Sequence, residues 1–251
     1  MSIEVFHLHL SQSERIVWLL ELLTVHQELQ VPYKLHVFER DPKSGLAPKE
    51  IKDLNPAGTA PYFRDGTVSP PVEISESGAI VEYILTVHGS KIGSGAPRLR
   101  RTPDDADYAA YLEWLHFANG TLQPAMLRAM TLLFAGAWES AFGKQMDAKT
   151  HSTLKLVDDR LADNKWLAGQ QLSAADIMTV FTLTTMRGFF PLLDLSPHKN
   201  ILRYLKDVAE RPAYREALRK ADKGMEPMIE PKVKAFKQFE SFGAIYESLG
   251  Y

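Results

Sequence analysis

Pro61 fixes more about this chain than any other single residue. It follows Gly58-Thr59-Ala60 and precedes the strand-like Tyr62-Phe63-Arg64, and a proline, having no N–H for a sheet ladder, can only open a strand or sit at its edge. The chain must therefore enter a sheet at residue 62 from a turn. X–Pro is also the linkage that tolerates a cis bond, although only about 5–6% of such bonds are cis. Further on, the apolar Val72 and Ile74 lead into Glu76-Ser77-Gly78, after which Ala79, Ile80, Tyr83, Ile84 and Val87 recur at helical spacing. A strand thus delivers a carboxylate and a hydroxyl to a helix N-terminus. The free N–H groups and dipole of such an end favour an anion, while Glu76 offers a negative charge to a cation. A ligand head carrying both an ammonium and a carboxylate would suit the pair; helix capping is the competing explanation for both residues.

Around this stretch the periodicity divides the chain. Ile3, Val5 and His7 alternate with Glu4, Phe6 and Leu8, with apolar residues on both faces, as in a strand buried within a sheet and ending near Leu10. From Arg15 the period lengthens: Ile16, Leu19, Leu20 and Leu23 form a helical stripe that Trp18 and Leu22 widen. Tyr33, Leu35 and Val37 then make a second strand, so a right-handed β-α-β unit is predicted. A polar loop over 39–47, a short helix over 48–54 opened by Pro48, a hairpin around Asp65-Gly66 and a helix over 77–87 complete a first domain at 1–88. The stretch 89–103, rich in Gly, Pro, Ser and Arg, has no periodicity and reads as a linker whose arginines are solvated. Residues 104–251 read as all helical, with helices expected at 104–122, 124–146, 148–161, 174–190, 201–210 and 212–225. Ser173 and Asp176 have the spacing of a capping box at the start of a buried helix. The aromatic residues Phe236, Phe239, Phe242, Tyr246 and Tyr251 mark a last segment that docks on the body or folds over a site.

Composition narrows the function classes. With 29 basic and 31 acidic residues the net charge is −2, which gives no global electrostatic case for nucleic acid or an anionic membrane. No apolar run approaches the roughly 20 residues needed to span a bilayer, and no secretory leader is read at the N-terminus, so a soluble, cytoplasmic protein is expected. Cysteine is absent; disulfides, thiolate metal sites and a cysteine nucleophile are excluded together, and no metal is expected.

The order β-α-β-α-β-β-α followed by an all-helical region resembles the cytosolic glutathione transferases. The likeness is carried by RIVWLLELL at 15–23, RDPKSGLAPKEIKDLNPAGTAP at 40–61, ESGAIVEYIL at 76–85 and WLAGQQLSAADI at 166–177. More narrowly, it is to the fungal and bacterial branch close to the yeast class-one type enzymes. The resemblance implies a thioredoxin-like α/β first domain with a cis Pro61, an all-α second domain, glutathione as co-substrate, and a homodimer. It also implies a role in detoxification, with conjugation of glutathione to hydrophobic electrophiles and glutathione peroxidase activity as a second reaction. A non-catalytic ligand carrier on the same fold is the alternative.

The same resemblance assigns the site. Glu76 and Ser77 would take the ammonium and carboxylate of the γ-glutamyl head, and Ala60, between Thr59 and Pro61, would pair its backbone with the tripeptide as an added strand does. The glycyl carboxylate would meet a cation, with Lys43 first, then Arg40 and Lys52. The sulfur would be held at the turn before the first helix, where Leu10-Ser11-Gln12-Ser13-Glu14 offers neither tyrosine nor cysteine. Ser11, Ser13 or backbone N–H groups are the choices there, although Ser11 and Glu14 also have capping-box spacing. The electrophile would lie between the domains, against Tyr111, Trp114 and Phe117; at helical spacing, such residues are more often core.

Overall fold

In the computed structural model, which describes residues 2–25, 32–89 and 98–250, the chain opens with β1 (Ile3–Leu8), α1 (Glu14–Val25), β2 (Tyr33–Phe38), α2 (Lys49–Leu54), β3 (Tyr62–Asp65), β4 (Val72–Ile74) and α3 (Ser77–Val87). The strands form one sheet in the order β2-β1-β3-β4. β1 runs parallel to β2, with Ile3 opposite Tyr33, and antiparallel to β3, with Val5 opposite Phe63. That β1 is central explains its apolar residues on both faces. Pro61 precedes β3 in a cis linkage to Ala60, and Ser69–Pro70 is a second cis bond, in the β3–β4 connection. Asp65, at the end of β3, is fully buried and ties the hairpin to α3 by accepting from Thr67 N at 2.8 Å, Tyr83 Oη at 2.9 Å and His88 Nε2 at 2.6 Å.

The remainder is helical: α4 (Tyr108–Phe117), α5 (Gln123–Phe134), α6 (Ala141–Asp163), α7 (Ala174–Leu183), α8 (Lys199–Ala209), α9 (Pro212–Ala221) and α10 (Glu240–Ser248). Contacts group Met1–Arg100 with Ala209–Pro227 as one unit and Arg101–Val208 with Met228–Tyr251 as another. The sequence reading placed all of 104–251 in one helical domain. The structure instead returns α9 to the first unit, where it packs along α1: Trp18 meets Tyr214 edge-on at 5.0 Å, Tyr214 Oη donates to Glu14 at 2.9 Å, and Lys220 Nζ pairs with Glu21 at 2.7 Å. Part of the expected linker, 90–97, and Tyr251 lie outside the described residues.

Within the second unit several boundaries differ from expectation: the helix expected over 174–190 ends at Leu183 and passes into a 3-10 turn over Thr185–Phe189, and α6 runs unbroken through the gap expected between 146 and 148. The helix expected over 124–146 stops at Phe134, because Gly136 takes a φ of 66°, the left-handed conformation with which glycine closes helices. α6 then restarts behind Ser140, whose hydroxyl accepts from Gly143 N at 3.0 Å. The break expected ahead of Pro124 is instead a π-turn over Ala118–Leu122, with Gln123 N–H reaching back to Ala118 O. Ser173 and Asp176 do form the capping box: the buried Asp176 carboxylate accepts from Ser173 N at 2.8 Å and Leu167 N at 2.9 Å. The C-terminal aromatics dock within this unit, Phe242 stacking on Phe134 at 4.7 Å and Phe236 lying 4.9 Å from Phe189.

Candidate active site

The turn from β1 into α1 is held under strain. Leu10 has a φ of 56°, a conformation that costs a non-glycine residue roughly 1–3 kcal/mol. Both its backbone groups are pinned: the N–H donates to Asp222 Oδ1 at 2.7 Å, and the C=O accepts from Arg40 Nη2 at 2.9 Å. Arg40 also donates to His9 O at 2.8 Å and Gly45 O at 2.9 Å. Burial lowers the Arg40 guanidinium to about 10, with Asp222 opposing the shift. Arg40, one of the cations considered for the glycyl carboxylate, is therefore a brace for the turn.

The strained turn sets Ser11 and Ser13 side by side. Their hydroxyl oxygens are 2.6 Å apart, and Ser13 N donates to Ser11 Oγ at 3.3 Å. Ser13 Oγ also accepts from Leu8 N at 3.1 Å and lies 2.8 Å from His7 Nδ1. Ser11 and Glu14, which have capping-box spacing, both bond elsewhere as well: the Ser11 hydroxyl meets that of Ser13, and Glu14 accepts from Tyr214. Ser13 is 0% exposed and Ser11 7%, so of the two only Ser11 reaches the surface.

Two residues that the sequence reading passed over connect this turn to the other expected contacts. Arg15, fully buried, donates through Nη1 to Ser77 Oγ at 3.2 Å and to Gln12 Oε1 at 3.1 Å. Burial lowers its guanidinium to about 9, with Glu14 opposing. Gln12 Nε2 in turn approaches Ala60 O at 3.4 Å. The only signal in the sequence was a basic residue beside the apolar stripe of α1.

The loop before Pro61 is built by Asn55, which donates through Nδ2 to Thr59 O at 2.9 Å and accepts from Ala57 N at 3.1 Å. Gly58 takes a φ of 65°, and a Cβ added there would come within 2.9 Å of Lys52 Cγ, so the Lys52 stem lies against this loop. Thr59 is exposed and Ala60 buried. Lys43 stands exposed on a separate turn, where its N–H donates to Asp41 at 3.2 Å. Glu76, exposed and extended at φ −88°, makes no side-chain cap bond to α3. Capping thus explains neither the Glu76 carboxylate nor, given its bond from Arg15, the whole of Ser77's role. In the second unit, Tyr111 and Trp114 are buried on α4, and Trp114 lies 4.8 Å from Phe117. No group of three or more metal-ligating side chains occurs among the described residues.

Residues 6–91 match the family pattern "Glutathione S-transferase, N-terminal domain", and residues 125–212 match "Glutathione S-transferase, C-terminal domain". Glutathione S-transferase 3 of Schizosaccharomyces pombe is 31% identical over 230 residues, 86% of each chain. The chain belongs to the glutathione S-transferase family. This transferase also resembles a solved glutathione S-transferase from Actinobacillus pleuropneumoniae, with a TM-score of 0.72 and 27% identity over 87% of this chain and 92% of that one. A family member from Pseudomonas fluorescens, solved with two glutathione bound, shares the fold with a TM-score of 0.67 at 21% identity, covering 86% of this chain and 92% of that one. The thioredoxin-like first domain and helical second domain are those of the family.

Proposed function

We propose that this transferase binds glutathione along one edge of its first unit and conjugates the tripeptide's thiolate to hydrophobic electrophiles. One observation carries the reading: Ser77 and Ala60 are tied through Arg15 and Gln12 to the β1–α1 turn in which Ser11 lies. Glu76 meets the γ-glutamyl ammonium and Ser77 the adjacent carboxylate, while the Ala60 backbone pairs with the central residue. Lys43, or Lys52 whose stem lies against Gly58, meets the glycyl carboxylate. Ser11 donates its hydroxyl to the sulfur, supported by the positive end of α1.

In the reaction the thiolate attacks an electrophilic carbon, a carbon–sulfur bond forms, and the leaving group departs with the electron pair of its own bond. Because the unperturbed thiol has a pKa of about 8.5, each donor aimed at the sulfur raises the reactive fraction at neutral pH. The enzyme works as a cytoplasmic homodimer, with Trp114 and Phe117 among the residues that meet the electrophile. Among the described residues, no helix is long and apolar enough to cross a membrane. Purified protein incubated with glutathione and a panel of aryl halides, isothiocyanates and hydroperoxides tests the proposal. Turnover with any of them supports an enzyme, and glutathione binding without turnover makes the protein a carrier.

A further inference from the structure

Behind Ser11 lies a chain of polar groups that neither capping nor glutathione binding requires. Ser11 Oγ is 2.6 Å from Ser13 Oγ, which is 2.8 Å from His7 Nδ1, and His7 Nε2 is 3.4 Å from Asp222 Oδ1. His7, Ser13 and Asp222 are all buried, and Asp222 Oδ2 has no hydrogen-bond partner among the described residues. We propose that the His7–Asp222 pair accepts the proton of the bound thiol, relayed through Ser13 and Ser11, an inference that rests on the glutathione reading above.

Hydrogen-bond valence supports this. A serine hydroxyl donates once and accepts twice. Ser13 Oγ already accepts from Leu8 N–H, and its own proton faces Leu8 O at 3.5 Å as well as Ser11 at 2.6 Å and His7 at 2.8 Å; when the two shorter contacts are both made, one of Ser11 and His7 donates to it and the other receives its proton. With the Ser13 proton in one of those two shorter contacts, two arrangements are self-consistent with an ionised Asp222. In the first, neutral His7 donates Nε2–H to Asp222 and accepts at Nδ1 from Ser13, which accepts from Ser11; Ser11 then has an open lone pair facing outward. In the second, His7 is an imidazolium donating both N–H groups, both serine hydroxyls are reversed, and Ser11 donates outward.

Passing from the first to the second takes one proton from the thiol to Ser11, one from Ser11 to Ser13 and one from Ser13 to His7. The sulfur is left as a thiolate that accepts a hydrogen bond from Ser11, and no net charge is created. After the carbon–sulfur bond forms, the imidazolium returns its proton outward along the same chain to water. Burial pushes the Asp222 carboxyl up, but the imidazoles of His7 and His9 and the Leu10 N–H outweigh it and hold it below the usual range. The other charged groups nearby are His9, whose Nδ1 is 2.9 Å from Asp222 Oδ1 outside hydrogen-bonding alignment; Arg40, which braces the turn; Glu14, bonded by Tyr214; and Lys223, paired with Glu39 at 2.9 Å.

The test is a proton inventory. Glutathione binding is measured calorimetrically at one pH in two buffers of different protonation enthalpy, while ultraviolet difference absorbance reports bound thiolate. The expected result for the intact protein is thiolate formation with close to no proton released to buffer. His7→Gln should release one proton per thiolate formed and lose roughly tenfold to a hundredfold in kcat/KM at neutral pH, the low end of a general-base contribution. Activity should recover in alkaline buffer, where solvent ionises the thiol. Ser13→Ala, which cuts the chain but leaves the His7–Asp222 pair, should give the same signature and serves if His7→Gln does not fold. One proton released per thiolate in the unaltered protein, or Ser13→Ala indistinguishable from it, overturns the relay while leaving the glutathione site standing. Absence of glutathione binding in the unaltered protein overturns both.

Discussion

Replacing Glu76 with Gln separates ligand binding from folding, because among the described residues this carboxylate makes no hydrogen bond or ion pair. It is exposed, and it makes no cap bond to α3 although it precedes that helix. A surface substitution away from any such contact changes stability by no more than about 0.5 kcal/mol, and in a chain of this size that moves the melting temperature by less than about 2 °C. Binding should behave differently. Hydrogen bonds to charged groups are worth about 1.5–3 kcal/mol, and each 1.4 kcal/mol is tenfold in affinity; the amide keeps part of the contact to an ammonium. Glutathione affinity should therefore fall between about tenfold and a hundredfold. Isothermal titration alongside a thermal melt reads both quantities on one preparation. Unchanged affinity with a melting temperature several degrees lower would mean that Glu76 serves the helix, and the head-group assignment would be wrong.

Asp176→Ala should destabilise the second unit by about 2–6 kcal/mol, since it strands the buried N–H groups of Leu167 and Ser173 at about 1–3 kcal/mol each; chemical denaturation measures it. Asp222 and Asp65 both have folded-state carboxyls held below their unfolded value. Their stabilisation is complete above about pH 4 and is lost as the unfolded chain takes up protons below it, so Asp222→Asn should flatten the acid limb of a stability–pH curve, and an acid limb identical to that of the unaltered protein would refute the assignment. Sedimentation at micromolar concentration should give twice the chain mass, and a monomer would remove the homodimer from the account.

Much of this was legible in the chain, for reasons that mark where legibility stops. The stripe Ile16, Leu19, Leu20 and Leu23 announced α1, and Pro61 announced the start of β3, because both are local consequences of period and valence. Trp18 and Leu22 lay outside a single-faced stripe, and that excess was the trace of a second partner. The partner itself, Tyr214 on α9, comes 200 residues after Glu14, and no local pattern joins them. Asp222 likewise looks in sequence like a polar residue closing a surface helix, whereas the fold buries it beneath Leu10. His7 fitted its strand so well that nothing marked its ring as facing a serine. The helix break at Gly136 was readable from that glycine and from Ser140, and was hidden by the long apolar run before it.

The claim on which the rest depends is that Ser11 holds the sulfur of bound glutathione as a thiolate, and a titration of thiolate absorbance tests it directly. A hydrogen bond to a charged acceptor is worth about 1.5–3 kcal/mol, and each pKa unit about 1.36 kcal/mol, so the contact corresponds to about one to two units. Bound glutathione in the unaltered protein should ionise below the free thiol value of about 8.5, and Ser11→Ala should move the midpoint up by about one to two units while glutathione affinity changes far less than in Glu76→Gln. A midpoint that stays in place in Ser11→Ala, with glutathione still bound, would contradict the account and leave backbone N–H groups to hold the sulfur.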